Sequence, residues 1–124
     1  CIACSDESTV LEQGQGKAIF MMPRAMTITE VKFTLSVKAE ASPTELDIRT
    51  HATDPEAAGA SIFDDAENDA VITDGDYFAS VSGAKFESSE TSIAIGEDHF
   101  LMIDIDSEPV EEKGLKVWLL GYWT

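Results

Sequence analysis

The chain has 124 residues, of which 24 are acidic and eight are basic, and its formal net charge is −16. This length suits one domain with one hydrophobic core. Nucleic-acid binding depends on Lys and Arg contacts to phosphates, and anionic lipid surfaces repel an acidic protein. The composition therefore predicts no nucleic-acid partner. We expect no membrane insertion either, because no apolar stretch approaches the ~20 residues that a spanning helix needs.

Segments in the first half of the chain alternate between apolar and polar residues, which is typical of strands with one buried face. The pattern predicts strands at residues 17–22, 26–38 and 45–51. In the longest of these, the side chains predicted to face the core are Val31, Phe33, Leu35 and Val37.

The second half continues in the same way. Brief strands are predicted at 61–63 and 77–81, and a polar edge strand at 84–95. The alternation in 99–106 predicts Leu101, Ile103 and Ile105 inside, and it predicts Met102, Asp104 and Asp106 outside.

The aromatic run near residue 120 predicts a last strand held in a sheet, because such a run left as a bare edge would be prone to aggregation. Leu115, Val117 and Leu119 are predicted to face the core. An apolar outer face on such an acidic protein implies that something covers it, and another protein is a better candidate than a sugar. The candidate partner-binding residues are Trp118, Leu120, Tyr122 and Trp123.

Seven or eight short strands with turns about every ten residues, and no convincing helix, predict an all-β antiparallel β-sandwich with jelly-roll topology. The chain is divided into an N-terminal arm, residues 1–13, and a single sandwich domain, residues 14–124. The side chains predicted to form the core between the two sheets are Val31, Phe33, Leu35, Leu101, Ile103, Leu115, Val117 and Leu119.

Two cysteines, Cys1 and Cys4, have the C-x-x-C spacing of redox dithiols. A redox pair would open a helix in a βαβ unit, and a zinc site would need more ligands than His51 and His99 can add. The favoured interpretation is two ordinary thiols in an N-terminal arm. The alternative is that Cys1 is the acylated first residue of a bacterial lipoprotein.

Acidic residues cluster between Asp64 and Asp76, and Asp104 and Asp106 share one strand face. Calcium prefers such oxygen ligands, but the loop lacks the glycine and flanking helices of the helix-loop-helix calcium site. We therefore expect both groups to be solvated, with no metal and no cofactor. His51 and His99 have no Ser or Cys nucleophile at a recognisable elbow, so no catalytic residue is assigned and an enzyme is not expected.

Both ends of the chain carry a family resemblance. Residues 2–9 (IACSDEST) followed by 22–31 (MPRAMTITEV) resemble the opening of small virion proteins of tailed bacteriophages. Residues 103–106 (IDID) and 113–122 (KGLKVWLLGY) resemble the close of those proteins, with weaker matches at 61–63 and 70–74. Residues 50–59 depart from the Asn/Gly-rich hairpin of that family. The matching motifs are strand and turn signatures, and none of them is catalytic.

The resemblance implies a non-enzymatic structural protein on the virion surface, either a capsid-decoration protein or a fibre subunit. It also implies assembly with copies of itself, as a trimer, and with other virion proteins. The alternative is a secreted or lipid-anchored carbohydrate-binding module, with a host-surface glycan as its partner. The two functions differ in the position of the rings of Trp118, Tyr122 and Trp123. In a virion protein the rings contact another protein, and in a carbohydrate-binding module they lie in a groove open to solvent.

Overall fold

A computed structural model describes residues 2–3, 10–40, 42–65 and 70–124. These residues form ten strands in two antiparallel sheets, with a single 3₁₀ turn at Glu87–Ser89. The strands are β1 (Ile2–Ala3), β2 (Gly14–Met21), β3 (Met26–Thr34), β4 (Thr44–His51), β5 (Ala60–Ser61), β6 (Val71–Ile72), β7 (Phe78–Ser82), β8 (Ile93–Ile95), β9 (Phe100–Ile105) and β10 (Lys116–Trp123). The described residues include no helix long and apolar enough to cross a bilayer.

The strand order is that of a jelly roll. The first sheet runs β1-β10-β3-β7, with β8 also paired to β3. The second sheet runs β2-β9-β4-β5, with β6 also paired to β4. The first strand thus lies beside the last and the second beside the penultimate, as in a ribbon wound once around a barrel. The predicted all-β antiparallel sandwich is confirmed.

The core lies between the two sheets and follows the alternation in the sequence. Seven of the eight side chains predicted for it are buried, and Leu119 is half-buried and packs against them. Phe33 forms an edge-to-face contact with Phe63, with centroids 6.3 Å apart, and Phe63 stacks on Phe86 at the same distance. These rings join strand β3 to the loops after β5 and β7.

Two predictions about strands are wrong. β3 ends at Thr34 rather than Lys38, and Val37 is 38% exposed in an isolated bridge to Lys113. The predicted edge strand at 84–95 is mostly loop, because Ser88 and Ser89 take left-handed backbone conformations that end any extended run. Only Ile93–Ile95 of that segment is a strand.

The N-terminal segment contacts the sandwich where it is described. β1 pairs with β10, Leu11 is buried, and the Leu11 amide donates to the Glu112 carbonyl oxygen at 2.9 Å. Cys1, Cys4, Glu67 and Asp69 lie outside the described residues, so the predictions about the thiols and about much of the acidic loop rest on the sequence alone.

Candidate functional site: the outer face of the first sheet

The outer surface of the first sheet carries a group of exposed apolar side chains. The group, called here the aromatic face, consists of Trp118, Leu120 and Tyr122 on β10 and Phe78 on β7. Their exposed fractions are 42%, 37%, 59% and 59%. The three residues of β10 alternate with the half-buried Leu119, so they share the side of the strand that points away from the core.

Strand β3 runs between the two parts of the aromatic face. Its residue Lys32 lies opposite Trp118, and Thr34 lies opposite Phe78. The Trp118 Nε1–H donates to Thr34 Oγ1 at 3.3 Å, which fixes the indole across β3. This aromatic and polar mixture offers a broad apolar surface with a few hydrogen-bonding groups.

Polar side chains of β3 and β7 lie between the β10 residues of the face and Phe78. Ser80 Oγ–H donates to Glu30 Oε1 at 2.6 Å, and Lys32 Nζ lies 3.9 Å from the same oxygen. Lys32 and Glu30 are both partly exposed, so this ion pair adds little stability. Its effect is to leave the middle of the face close to neutral on a chain whose net charge is −16.

A bulge in β3 shapes the far end of the face. The pairing passes from Leu120↔Glu30 to Gly121↔Ile28, which leaves Thr29 as the extra residue. A Cβ atom on Gly121 would lie 1.9 Å from the Thr27 carbonyl oxygen, so only glycine fits there. Because the extra residue lies in β3, the alternation along β10 is uninterrupted, and Tyr122 lies on the same side of β10 as Trp118 and Leu120.

Three of the four residues predicted to bind a partner therefore share one surface. Trp123 does not, because it lies opposite the buried Met26 at an inward-facing position near the end of the sandwich, where it is 52% exposed. Sequence reasoning missed Phe78, since the short β7 segment gave no sign of its orientation. It also missed Ile19 and Met21, which are half-exposed on the outer face of the edge strand β2.

The outer face of the second sheet is different in character, because charged residues are buried there. Asp104 is 1% exposed, and its carboxylate accepts bonds from Arg49 Nε at 2.5 Å and Arg49 Nη2 at 2.9 Å. The Gly16 amide also donates to it at 2.7 Å. Arg49 Nη1 donates to the Ala57 carbonyl oxygen at 3.3 Å and to that of Ala58.

These contacts correct the prediction that Met102 and Asp104 lie outside in solvent. Both side chains lie on the predicted outer side of β9, but the loop after β4 folds over them and Met102 is fully buried. A Cβ on Gly59 in that loop would lie 3.0 Å from Met102 Cε, which shows how closely the loop approaches. Asp106 is exposed, as predicted.

A cavity of about 250 Å³ lies beside this ion pair. It is lined by Gln15, Gly16, Ile19, Arg49, Pro55, Glu56, Ala57 and Ala58. The Arg49 guanidinium makes four hydrogen bonds to Asp104 and the loop, so most of its donors are already used. The cavity therefore lacks a free cationic group on its floor for an anionic ligand.

The remaining candidates of the sequence analysis have local roles in the described part of the chain. His51 Nδ1 accepts bonds from the Thr53 and Asp54 amides, at 3.2 Å and 3.0 Å, and so caps the turn after β4. Asp64 accepts from Ser89 Oγ–H at 3.1 Å. Among the described residues, no three His, Cys, Asp or Glu side chains are grouped so that they could hold a metal ion.

The carboxyl of Asp47, next to the ion pair, has a raised pKa. Desolvation by burial raises the pKa of its carboxyl, the negative charges of Asp104 and Asp106 raise it further, and the hydrogen bonds from Ser61 and Ile48 oppose this. The pKa of Asp106 is raised too, first by desolvation and then by the charges of Asp104 and Glu45. The carboxyl groups of Asp47, Asp104 and Asp106 thus lie close enough together for their charges to interact.

This arrangement predicts an unusual pH dependence. A carboxyl whose pKa is higher in the folded than in the unfolded chain takes up its proton first in the folded state, so its contribution to the free energy of unfolding grows as pH falls from 7 toward about 4. We expect Asp47→Asn to be more stable than wild type at pH 7, with the difference shrinking as pH falls. Asparagine Oδ1 can still accept from Ser61 Oγ–H and the Ile48 amide.

Urea denaturation at several pH values measures this effect. The control is Asp74→Asn, which removes the same charge from an exposed loop position. A gain at pH 7 that is equal in the two variants would mean that general charge repulsion, rather than the burial of Asp47, is responsible.

Comparison of the chain with protein-family models, with curated proteins and with solved structures found no match.

Proposed function

We propose that the protein is a non-enzymatic structural subunit that assembles through its aromatic face. The observation that carries the proposal is the clustering of Trp118, Leu120, Tyr122 and Phe78 on one rigid sheet face, each 37–59% exposed. Contiguous exposed apolar patches on soluble proteins mark interaction surfaces, and tryptophan and tyrosine are favoured at the centre of protein interfaces.

The resemblance of both chain ends to small virion proteins of tailed bacteriophages supplies the setting of this proposal. In this proposal the protein lies on the surface of a virion, where it is a capsid-decoration or fibre subunit. Its partners are copies of itself and other virion proteins. A rigid β-sandwich with an apolar docking face and an acidic remainder suits such a particle. The aromatic face binds the neighbouring protein, and the negative charge of the remaining surface keeps unassembled subunits soluble.

The −16 charge gives the association a characteristic salt dependence. Like-charged subunits repel one another, and added salt screens that repulsion. The charged residues at the centre of the face, Glu30 and Lys32, already pair with each other, so screening by salt removes little attraction between subunits. We therefore expect the association to tighten with salt, the opposite of an interface held by ion pairs.

The proposal predicts that Trp118→Ser weakens self-association by at least about fivefold, since truncating a tryptophan that becomes buried in an interface commonly costs more than about 1 kcal/mol. The matched control is Val110→Ser, which removes an apolar side chain that is 69% exposed on a loop. Light scattering and sedimentation across a salt series measure both. Equal association of Trp118→Ser and wild type would contradict the proposal.

A carbohydrate-binding module is the second candidate. The indole of Trp118 and the phenol of Tyr122 stand on a flat sheet beside Thr34, Lys32 and Glu30, and such a mixture can stack on a sugar ring and hydrogen-bond to its hydroxyls. This candidate predicts a monomer at every salt concentration, together with a change in Trp118 fluorescence on addition of a soluble glycan.

A further inference from the structure

The aromatic face carries little of the negative charge of the chain. The strands of the first sheet contain one acidic residue, Glu30, and two lysines, Lys32 and Lys116, whereas the chain has 24 acidic residues in all. An acidic surface of a second copy would place carboxylates against apolar rings, where they lose water without gaining a partner. The surface of a second copy that fits this face best is therefore its own aromatic face.

Glu30 and Lys32 occupy the middle of the face. They lie two residues apart on β3, about 7 Å along the strand, and Lys32 Nζ is 3.9 Å from Glu30 Oε1. In the ladder with β10, Trp118 lies beside Lys32 and Leu120 lies beside Glu30. Each of these two rows across the sheet thus combines one charged with one apolar side chain, and the two rows carry opposite charges.

We propose that the aromatic face packs against the aromatic face of a second copy, about a two-fold axis that crosses β3 midway between Glu30 and Lys32. This deepens the proposed function and rests on it, because it names the partner and the geometry of the contact. Sheets that stack face to face lie about 10 Å apart with their strands nearly aligned. The dimer then has four layers, and the two first sheets are the inner ones.

The opposite charges of Glu30 and Lys32 select this axis. Closed dimers of identical chains have two-fold symmetry. If the axis ran along β3, Lys32 would lie on the partner's Lys32. With the axis across β3, each Lys32 lies on the partner's Glu30, and the four charges alternate in sign. Such charges determine the orientation of an interface more than its affinity, and each already has a partner within its own copy.

The same axis brings the side chains of β10 together. Trp118 lies on the partner's Leu120, and Leu120 lies on the partner's Trp118, so two contacts between an indole and an aliphatic side chain form beside the charges. Lys116 and Tyr122 lie on the same side of β10, at equal distances from this centre. Lys116 therefore lies opposite the partner's Tyr122, where an ammonium group and an aromatic ring attract each other.

The footprint of this contact is small. Three strands spaced about 4.8 Å apart, and the eight residues of β10 at about 3.3 Å each, span about 14 by 26 Å. A standard interface buries about 800 Å² on each partner, so we expect a reversible dimer that forms at micromolar or higher concentrations. Added salt strengthens it by screening the −16 charge of each copy, whereas the charges enclosed at the centre are screened much less.

Charge reversal tests the contact. Lys32→Glu places a carboxylate on the partner's Glu30, and because like charges in an interface are strongly unfavourable, we expect the association constant to fall by at least about tenfold. The double variant Glu30→Lys with Lys32→Glu restores the alternation and should dimerise like wild type. The matched control is Arg24→Glu, which makes the same change of charge on an exposed loop residue and should alter association little. Sedimentation equilibrium measures all four proteins.

Mixing the double variant with wild type tests the axis. In the proposed dimer a mixed pair would place Lys32 of wild type on the lysine introduced at position 30, so we expect wild-type and double-variant homodimers without mixed dimers. An axis along β3 gives the opposite result, because Lys32 would then lie on the introduced glutamate. Native mass spectrometry with isotope-labelled wild type counts the mixed dimers. A preference for mixed dimers, or random mixing, would overturn the inference.

Circular dichroism verifies that the variants are folded. If the double variant is not, the two single variants replace it. Lys32→Glu mixed with Glu30→Lys should form a dimer that neither variant forms alone, because the mixed pair places lysines on glutamates. Absence of that dimer would contradict packing of the two faces on each other.

The outcomes separate this inference from the proposed function. If Trp118→Ser disrupts association and Lys32→Glu does not, or if wild type forms trimers or open chains, the aromatic face is a contact but the two-fold packing is wrong. If wild type is a monomer at all salt concentrations, both are wrong.

Discussion

Phe33→Ala is expected to lower the free energy of unfolding by about 3–5 kcal/mol, which is the usual cost of truncating a fully buried phenylalanine. Phe33 is 0% exposed, lies one residue before the end of β3 and contacts Phe63 edge to face. Its neighbours on both sides of β3 are Val117 on β10 and Ala79 on β7. The strands hold the walls of the resulting void apart, so little collapse can offset the loss.

Urea denaturation followed by tryptophan fluorescence measures the effect. Phe33→Leu is the control, since it keeps most of the apolar volume and should cost less than about 1.5 kcal/mol. A loss below about 1 kcal/mol for Phe33→Ala would mean that the side chain faces solvent and that the strand is shifted by one residue.

The alternation of apolar residues was sufficient to predict the sheets, because the side chains of a strand can face only two ways. It placed Phe33, Leu101 and Val117 correctly in the core. It failed at Val37, since an alternating pattern does not reveal where pairing stops and β3 ends three residues earlier. It failed again at 84–95, because the left-handed serines there have no side-chain signature comparable to glycine.

The aromatic face was predictable in part for the same reason. Alternation along β10 predicts that Trp118, Leu120 and Tyr122 lie on the same side of the strand. The contribution of Phe78 depends on the pairing of β7 with β3, a contact between distant segments that no local pattern encodes. The exclusion of Trp123 likewise depends on its partner Met26 across the β3 bulge.

Asp104 is the clearest failure of local reasoning. The alternation assigned it correctly to the outer side of β9, and from this we expected a solvated carboxylate. Its burial depends on Arg49 from β4 and on the loop that follows β4, 45 or more residues earlier in the chain. One signal was present in the sequence, because Arg49 is the only Lys or Arg in the predicted strand 45–51.

The pairing of β4 with β9 explains why this arginine is needed. Asp47 lies directly opposite Asp104 in the ladder, and like charges in that position destabilise a sheet. Arg49 lies two residues along β4 and reaches diagonally to Asp104 with two hydrogen bonds. It also ties the loop carbonyls of Ala57 and Ala58 to the sheet, so one side chain neutralises the buried charge and anchors the covering loop.

Arg49→Met is therefore expected to destabilise the protein by about 3–5 kcal/mol, the usual result of leaving one partner of a buried ion pair without the other. Arg49→Lys should lose less, because it keeps the charge but not the two-pronged geometry. The decisive control is the double variant Arg49→Met with Asp104→Leu, which removes both charges and keeps apolar volume. Replacing a whole buried pair with apolar residues is often nearly neutral, so the double variant should recover much of the loss. Denaturant unfolding of all three variants measures these differences. If the double variant is no more stable than Arg49→Met alone, the cost comes from the released loop over Met102 and not from the unpaired carboxylate.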